Sequence, residues 1–410
     1  MEFIEKKAKE LFVCSSGLSK SGDQFGYGYP FLSYSEIFNN YYIPDELLTL
    51  VNSTEKDRIK CSIQRGDVFL TRTSETTDEL GMSCVALKDY PNATFNGFAK
   101  RLRPITDEIL PEYAAYFFRS YYFRAQCMSM ASLITRASLN DGMIERLKIR
   151  YPESKKIQSI IAFFLMRYDR LIKLNNRRIE TLEQMADNLY KEWFVRFRFP
   201  GHENTEFENG IPKGWELKRI GDLVQLKSGY AFKSEWWIEE GVPVIKIKDI
   251  ESNTINLSDL SFVSEVHAEK SKLFFVNPGD LLIALTGATI GKIGLVPYCK
   301  NILTVNQRVG KFFLGKTPCE SVAFWFCMFQ QTHIQEHIIA IASSNAAQPN
   351  ISPFDIERIR IPYNKDVVDK FNKKVQPFVE QILDIRRINH NLVKQRDLLL
   401  PRLMSGNLEV

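Results

Sequence analysis

Three stretches of the chain carry residue types that could do chemistry. TGATIGKIG (286–294) follows an apolar strand and looks like a phosphate loop. A P-loop needs GxxxxGK[ST], in which backbone amides cradle phosphate and a hydroxyl ligates Mg2+. Here the residue five before Gly291 is Thr286, and Ile293 stands where that hydroxyl belongs, so nucleotide binding is set aside. HIQEH (333–337) fits H-x-x-E-H, which would place His333 and His337 as zinc ligands and Glu336 as a general base on one helical face. The pattern lacks a third ligand, and every histidine lies at 202 or later, so the first half of the chain cannot repeat it. FGYGY (25–29) has part of a methyl-donor loop, but no NPPY- or DPPY-like segment follows to hold the exocyclic nitrogen of a flipped base. No nucleophile stands beside a matched base. The residues point to a non-enzymatic protein, with a metal-dependent hydrolase built on His333, Glu336 and His337 as one rival.

Composition sets the frame for these residues. At 410 residues, with 44% apolar and 12% aromatic content, the chain can build two to four packed domains. It has no apolar run near the roughly 20 residues that span a bilayer, and the start MEFIEKKAKE lacks a signal-peptide core, so a soluble, cytoplasmic protein with no membrane partner is expected. The seven cysteines form no CxxC pair and no even framework, and are expected to be reduced thiols. A net charge of +5 permits an anionic partner without demanding one.

The elements that must position any site are written twice. IERLKIRYP (144–152) returns as IERIRIPYN (356–364), a separation of 212. FLSYSEI (31–37) matches VIKIKDI (244–250) and RGDVFLTRT (65–73) matches PGDLLIALT (278–286), both at 213, while LFVCSSG (11–17) matches LVQLKSG (223–229) at 212. Each half runs from short strands with Gly/Asn/Pro turns to a helical segment (111–130, 320–341), then to the IER phrase read as a strand, then to a long helix. The fold class is therefore α+β: two pseudo-repeated mixed globules, each followed by a rod.

The rods show the clearest periodicity. Ile157, Ile161, Phe164, Tyr168, Leu171, Asn175, Ile179, Leu182, Ala186, Leu189 and Trp193 follow at steps of three or four in the first; Val368, Phe371, Val375, Phe378, Ile382, Ile385, Asn389, Leu392, Arg396, Leu399 and Leu403 do so in the second. So narrow a seam, flanked by charge, suits two helices packing on each other as an antiparallel coiled coil. Asn175 and Asn389 could fix its register. Pro377 should begin or kink the second rod, and Pro401 and Gly406 should end it.

Antiparallel rods would relate the globules by a pseudo-twofold axis, the symmetry of duplex DNA. About 35 helical residues measure roughly 50 Å, equal to about 15 base pairs. Polar side chains gather where a split DNA target could be read. After the first GD strand stand Thr71, Arg72, Thr73 and Ser74; after the second, Thr286, Thr289 and Lys292. Lys246, Lys248 and the run Asn306, Gln307, Arg308 join them, with Arg136, Ser138, Asn140, Gln348 and Asn350 before the IER phrases. Arg suits guanine, Asn and Gln suit adenine, and Lys and hydroxyls hold phosphate. A scaffold whose doubled domains bind proteins is the other rival.

The phrases IPKGWELKRIGDL (211–223), NPGDLLIALTG (277–287), AAQPNISPFDIERIRIP (346–362), LYKEWFVRFRFPG (189–201) and LLLPRLMSG (398–406) make the whole chain resemble a type I restriction-modification specificity (S) subunit. The resemblance implies target recognition domains at 1–152 and 205–363, spacer helices at 153–200 and 366–403, and a tail at 404–410. It implies a non-catalytic subunit, active in phage defence, that directs double-stranded DNA recognition, each domain reading one half of a bipartite asymmetric site. Two methyltransferase (modification) subunits would dock on the helices, and restriction/translocase subunits would join them. No cofactor would be bound by this chain; S-adenosylmethionine, ATP and Mg2+ would belong to the partners. The first domain departs from the pattern: it lacks PKGW, and its loop TRTSETTDELG differs from TGATIGKIG.

Overall fold

The computed structural model describes residues 2–130, 132–133, 137–251, 253–343 and 349–408. It divides into two compact units, one of Met1–Leu171 with Leu392–Val410, the other of Ile172–Asn391.

In unit 1 an antiparallel sheet runs in the order Phe12–Ser16, Ala99–Pro104, Val68–Thr71, Ser83–Val85. Val68–Thr71 is buried at all four positions, as expected of a strand covered on both faces, and explains why RGDVFLT reads as a continuous apolar run. A second sheet joins Leu50–Val51, Phe25–Leu32 and Thr94–Phe95, the last pair parallel. Phe3–Lys7 pairs antiparallel with Lys148–Pro152.

Unit 2 repeats this plan within itself. Gln225–Ser228, Val309–Phe313, Leu281–Ala284 and Ile293–Leu295 lie in the same order, extended by Asn253–Ile255 and Ile250–Glu251. Val242–Ile245 again pairs in parallel with Thr304–Val305, and Glu216–Arg219 again pairs with the strand of the IER phrase, Arg360–Tyr363. The phrase itself is not all strand. Ile144 closes the one-turn helix Asp141–Ile144, and Ile356–Glu357 close Pro353–Glu357, so the repeated letters encode a helix end and the strand after it.

The repeated words have steric causes. A Cβ on Gly17 would lie 2.2 Å from the Asn96 carbonyl oxygen, and one on Gly229 would lie 2.3 Å from that of Val305; both SG glycines allow a close backbone crossing. In each GD word the glycine has positive φ (92° at Gly66, 86° at Gly279) and the aspartate is buried. Asp67 accepts from Arg103 at 2.7 and 2.8 Å and from the Gln64 amide at 2.8 Å. Asp280 accepts from the Asn277 amide at 2.8 Å and pairs with Lys311 at 3.1 Å. Burial pushes the Asp280 carboxyl above its usual range despite Lys311.

The rods are the helices Lys155–Tyr190 and Lys365–Ser405, the first continuing as a π turn, Lys191–Val195. Within unit 2 they run antiparallel: Asn175 donates to Asn389 at 2.8 Å, Asn389 to Asn176 at 2.8 Å, Ile179 and Leu182 pack with Ile382 and Ile385, and Tyr190 meets Phe371. Within unit 1, Asp169 pairs with Arg396, and Leu400, Leu403 and Met404 enter the core beside Ile161, Ala162 and Leu165. Of the other expected seam residues, Trp193 is buried, while Tyr168, Leu189, Phe378, Leu392 and Leu399 are half-buried.

Two expectations are corrected. Phe164 and Leu171 do not lie in the seam but are 46% and 48% exposed. A series at steps of three or four drifts around a helix of 3.6 residues per turn, so adjacent apolar columns compete, and Leu165 is buried where Phe164 was expected. Pro377 does not begin the second helix, which runs on both sides of it, and Pro401 does not end it. Val375 and Val379, 0% and 1% exposed, hold the turns around Pro377; Gly406, at φ 78°, follows the last helical residue.

Candidate nucleic-acid interface

In unit 1 the loop after the GD strand meets the loop before the IER phrase. Ser138 pairs with Thr73 and Ala137 with Ser74, and the Leu139 amide donates to the Arg72 carbonyl at 2.9 Å. The two loops, with Lys100, line an open cleft of about 640 Å³ in which Arg72, Thr73, Ser138, Asn140 and Asp141 stand together. Unit 2 builds the same junction: Thr286 bridges Asn350, the Ile351 amide donates to the Leu285 carbonyl at 3.0 Å, and the Gly287 amide to that of Pro349 at 3.0 Å. The Leu285 amide reaches Arg308, that of Asn306 reaches Ile245, and that of Gln307 reaches Tyr230. These bonds draw together the backbone at Thr286, Asn350, the run 306–308 and Ile245, the residue before Lys246.

Not every expected residue is available there. Thr71 is fully buried; its hydroxyl donates to the Glu79 carbonyl at 3.1 Å and accepts from the Met82 amide at 3.0 Å. Ser74, 7% exposed, donates to the Glu79 carboxylate. Both brace the loop rather than face a ligand, because each hydroxyl is bonded to Glu79, Thr71 to its carbonyl and Ser74 to its carboxylate. The Thr286 hydroxyl is likewise buried, without a hydrogen-bond partner among the described residues. Asn140 caps the helix Asp141–Ile144, accepting from the Met143 amide at 2.9 Å, and stays exposed. Lys248 is engaged by Asp259, donating to its carbonyl at 2.7 Å and to its carboxylate, which raises the ammonium's pKa. Lys292, Gln307, Arg308 and Asn350 are exposed, and Thr289 is half-buried. Arg136 and Gln348 lie outside the described residues.

Several residues of the site escape sequence reasoning. The centre of the Trp237 ring stands 3.6 Å from the ammonium of the expected Lys246, and burial there holds that ammonium below the usual lysine range. The Tyr34 hydroxyl donates to the Thr73 carbonyl at 3.0 Å. Lys100 and Asp141 form an ion pair across the cleft. The adjacent Trp236 and Trp237 could have flagged the first; Lys100 and Asp141, 41 residues apart, share no local signal.

The set-aside motifs have other roles. A Cβ on Gly291 would lie 2.6 Å from the Gln335 side chain, whose amide donates to the Gly291 carbonyl at 2.9 Å, so this glycine serves packing. His333, Glu336 and His337 are exposed on the helix Thr332–Ser343, and among the described residues no cluster of three or more His, Cys, Asp or Glu could hold a metal. All seven cysteines are free. No helix among the described residues is long and apolar enough to cross a membrane.

Comparison with known proteins bears on this geometry. Residues 2–184 and 212–370 match the family model described as the type I restriction modification DNA specificity domain. The MjaIX type I restriction enzyme specificity subunit of Methanocaldococcus jannaschii is 26% identical over 419 residues, spanning 99% of this chain and 93% of its own. The HindI specificity subunit of Haemophilus influenzae is 22% identical, spanning 92% and 94%. Among solved structures, the type I restriction-modification system S subunit from M. genitalium aligns over 98% of this chain and 96% of its own with a TM-score of 0.57; at 16% identity the likeness is one of fold.

Proposed function

Given that the chain belongs to the type I restriction-modification DNA specificity family, we propose that each unit reads one half of a bipartite, asymmetric site in double-stranded DNA and that the paired helices set the unread spacer. The chain is a non-catalytic specificity subunit. The observation that carries the reading is the doubled loop junction: the bond from Leu139 to Arg72 recurs from Ile351 to Leu285, while the side chains around it differ. One frame presents two different polar surfaces, as two half-sites of unlike sequence require.

On this reading the helices also dock two modification subunits, and restriction/translocase subunits join the complex. S-adenosylmethionine, ATP and Mg2+ are then used by those partners, not by this chain. The test is to insert four residues into each helix at matched positions, between Arg170 and Leu174 in the first and between His390 and Gln395 in the second. Each helix lengthens by about 6 Å, close to two base pairs of duplex. Methylome sequencing is expected to show both half-sites kept and the spacer lengthened. An unchanged spacer, or altered half-sites, would refute the reading.

A further inference from the structure

We infer that Asp141, held in place by the buried Lys100, is a base-reading residue of the first unit, accepting a hydrogen bond from the exocyclic amine of a cytosine or an adenine. The inference rests on the reading of the chain as a DNA specificity subunit, and three observations support it.

The first is geometric. The Lys100 side chain is 5% exposed, and its ammonium donates to the Ser16 hydroxyl at 2.7 Å and pairs with Oδ1 of Asp141. The Cys14 thiol falls on the same oxygen at 3.9 Å. Among the described residues no hydrogen bond falls on Oδ2, and the Asp141 side chain is 53% exposed on the cleft that Arg72 and Asn140 also line. A carboxylate clamped through one oxygen has lost its rotameric freedom before any ligand arrives, the condition for precise recognition.

The second is chemical. A pocket meant for backbone phosphate would present its cations free, whereas here Lys100 is spent on neutralising Asp141. An aspartate oxygen repels phosphate and accepts from cytosine N4 or adenine N6. Among the described residues lining the cleft, Arg72, whose Nε is buried without a hydrogen-bond partner there, is the cation that remains.

The third comes from the second copy of the frame. Ser16 faces Lys100 across the sheet, while Ser228 faces Gly310. Asn140 and Ser352 cap equivalent one-turn helices, but the next residue is Asp141 in one and Pro353 in the other. A Cβ on Gly310 would already lie 2.9 Å from Ile283 and 3.0 Å from Leu226, so unit 2 fills the lysine's place with aliphatic carbon. The frame therefore folds without the pair. Burying a lysine costs stability unless it is compensated, and this lysine is kept in one copy only, at the junction where the copies present different surfaces.

The test uses the full chain assembled with its modification subunits. Competition binding is measured on duplexes carrying each of the four bases at every position of both half-sites, the sites having been set by methylome sequencing. In Asp141→Asn, the affinity ratio of cognate over substituted duplex is expected to fall about ten-fold or more at one cytosine or adenine position, with the other half-site unchanged. The double variant Lys100→Gly, Asp141→Pro installs the second copy's residues, removes the buried charge together with its partner, and should lose the same discrimination while remaining folded. Unchanged ratios, a uniform loss of affinity for every duplex, or unfolding of both variants would each overturn the inference. A wild-type complex without any base preference would instead sink the specificity-subunit reading itself.

Discussion

Asp280→Ala tests whether the repeated GD word is a fold pin. The substitution deletes the acceptor of the Asn277 amide and the partner of Lys311, whose side chain is 9% exposed beside an aspartate at 2%. Removing one member of such a pair leaves a charge in the interior, at a cost of about 3–5 kcal/mol. Among the described residues Lys311 then keeps the Phe275 carbonyl as its acceptor. Because burial outweighs Lys311 in raising the Asp280 carboxyl, the charged pair is not itself a strong source of stability, and Asp280→Ala with Lys311→Met should recover most of the loss. The same change in the first copy, Asp67→Ala, should cost less, roughly 2–3 kcal/mol, as the loss of charge-assisted bonds alone. Arg103 is 27% exposed and retains the Ser62 carbonyl at 3.0 Å. Chemical denaturation of the full chain, followed by calorimetry, measures all three. A loss below about 1 kcal/mol for Asp280→Ala, a double variant no more stable than the single one, or equal losses in the two copies would refute the reasoning. The strand Leu281–Ala284 begins at this pin and ends two residues before Thr286, so the damage should reach the reading loop.

Two further expectations concern charge. If the exposed Lys292 holds phosphate, Lys292→Ala should lower the slope of log affinity against log salt by about one, whereas Lys248→Ala, removing an ammonium already engaged by Asp259, should change it less; equal slopes would remove Lys292 from the interface. Hydrogen bonds from Lys6 and the Tyr151 hydroxyl hold the Glu108 carboxyl below its ordinary value of 4.5. That stabilisation is fully present above the ordinary value and is lost as pH falls through the depressed one, so Glu108→Gln should flatten the acid limb of unit 1 unfolding, and an unchanged limb would count against it.

The sequence made the frame legible because duplication supplied its own control. Gly17 and Gly229, Asp67 and Asp280, and the two IER phrases each recur where backbone crossing or burial leaves little choice of residue. The helix register was partly legible: Asn175 and Asn389 meet, yet Phe164 and Leu171 turn outward, because periodicity cannot choose between neighbouring apolar columns. The loops were legible in position but not in orientation. Arg72, Thr73, Ser138 and Asn140 share a cleft, while Thr71 and Ser74 point inward, since composition does not say on which side of a strand end a hydroxyl lies. Lys248 and Lys100 are taken by acids at 259 and 141, pairings made only by the tertiary fold.

The core of unit 1 draws Leu400, Leu403 and Met404 from the far end of the chain, whereas unit 2 is the unbroken segment Ile172–Asn391. During synthesis the order of completion is therefore the reverse of the order of translation. The unit begun first waits on residues 392–408, which leave the ribosome after the whole of the unit begun second. Until then unit 1 leaves the apolar faces of Ile161 and Leu165 uncovered. A message cut short after codon 391 would therefore yield a protein whose second-made unit has all its residues and whose defect lies in its first-made one.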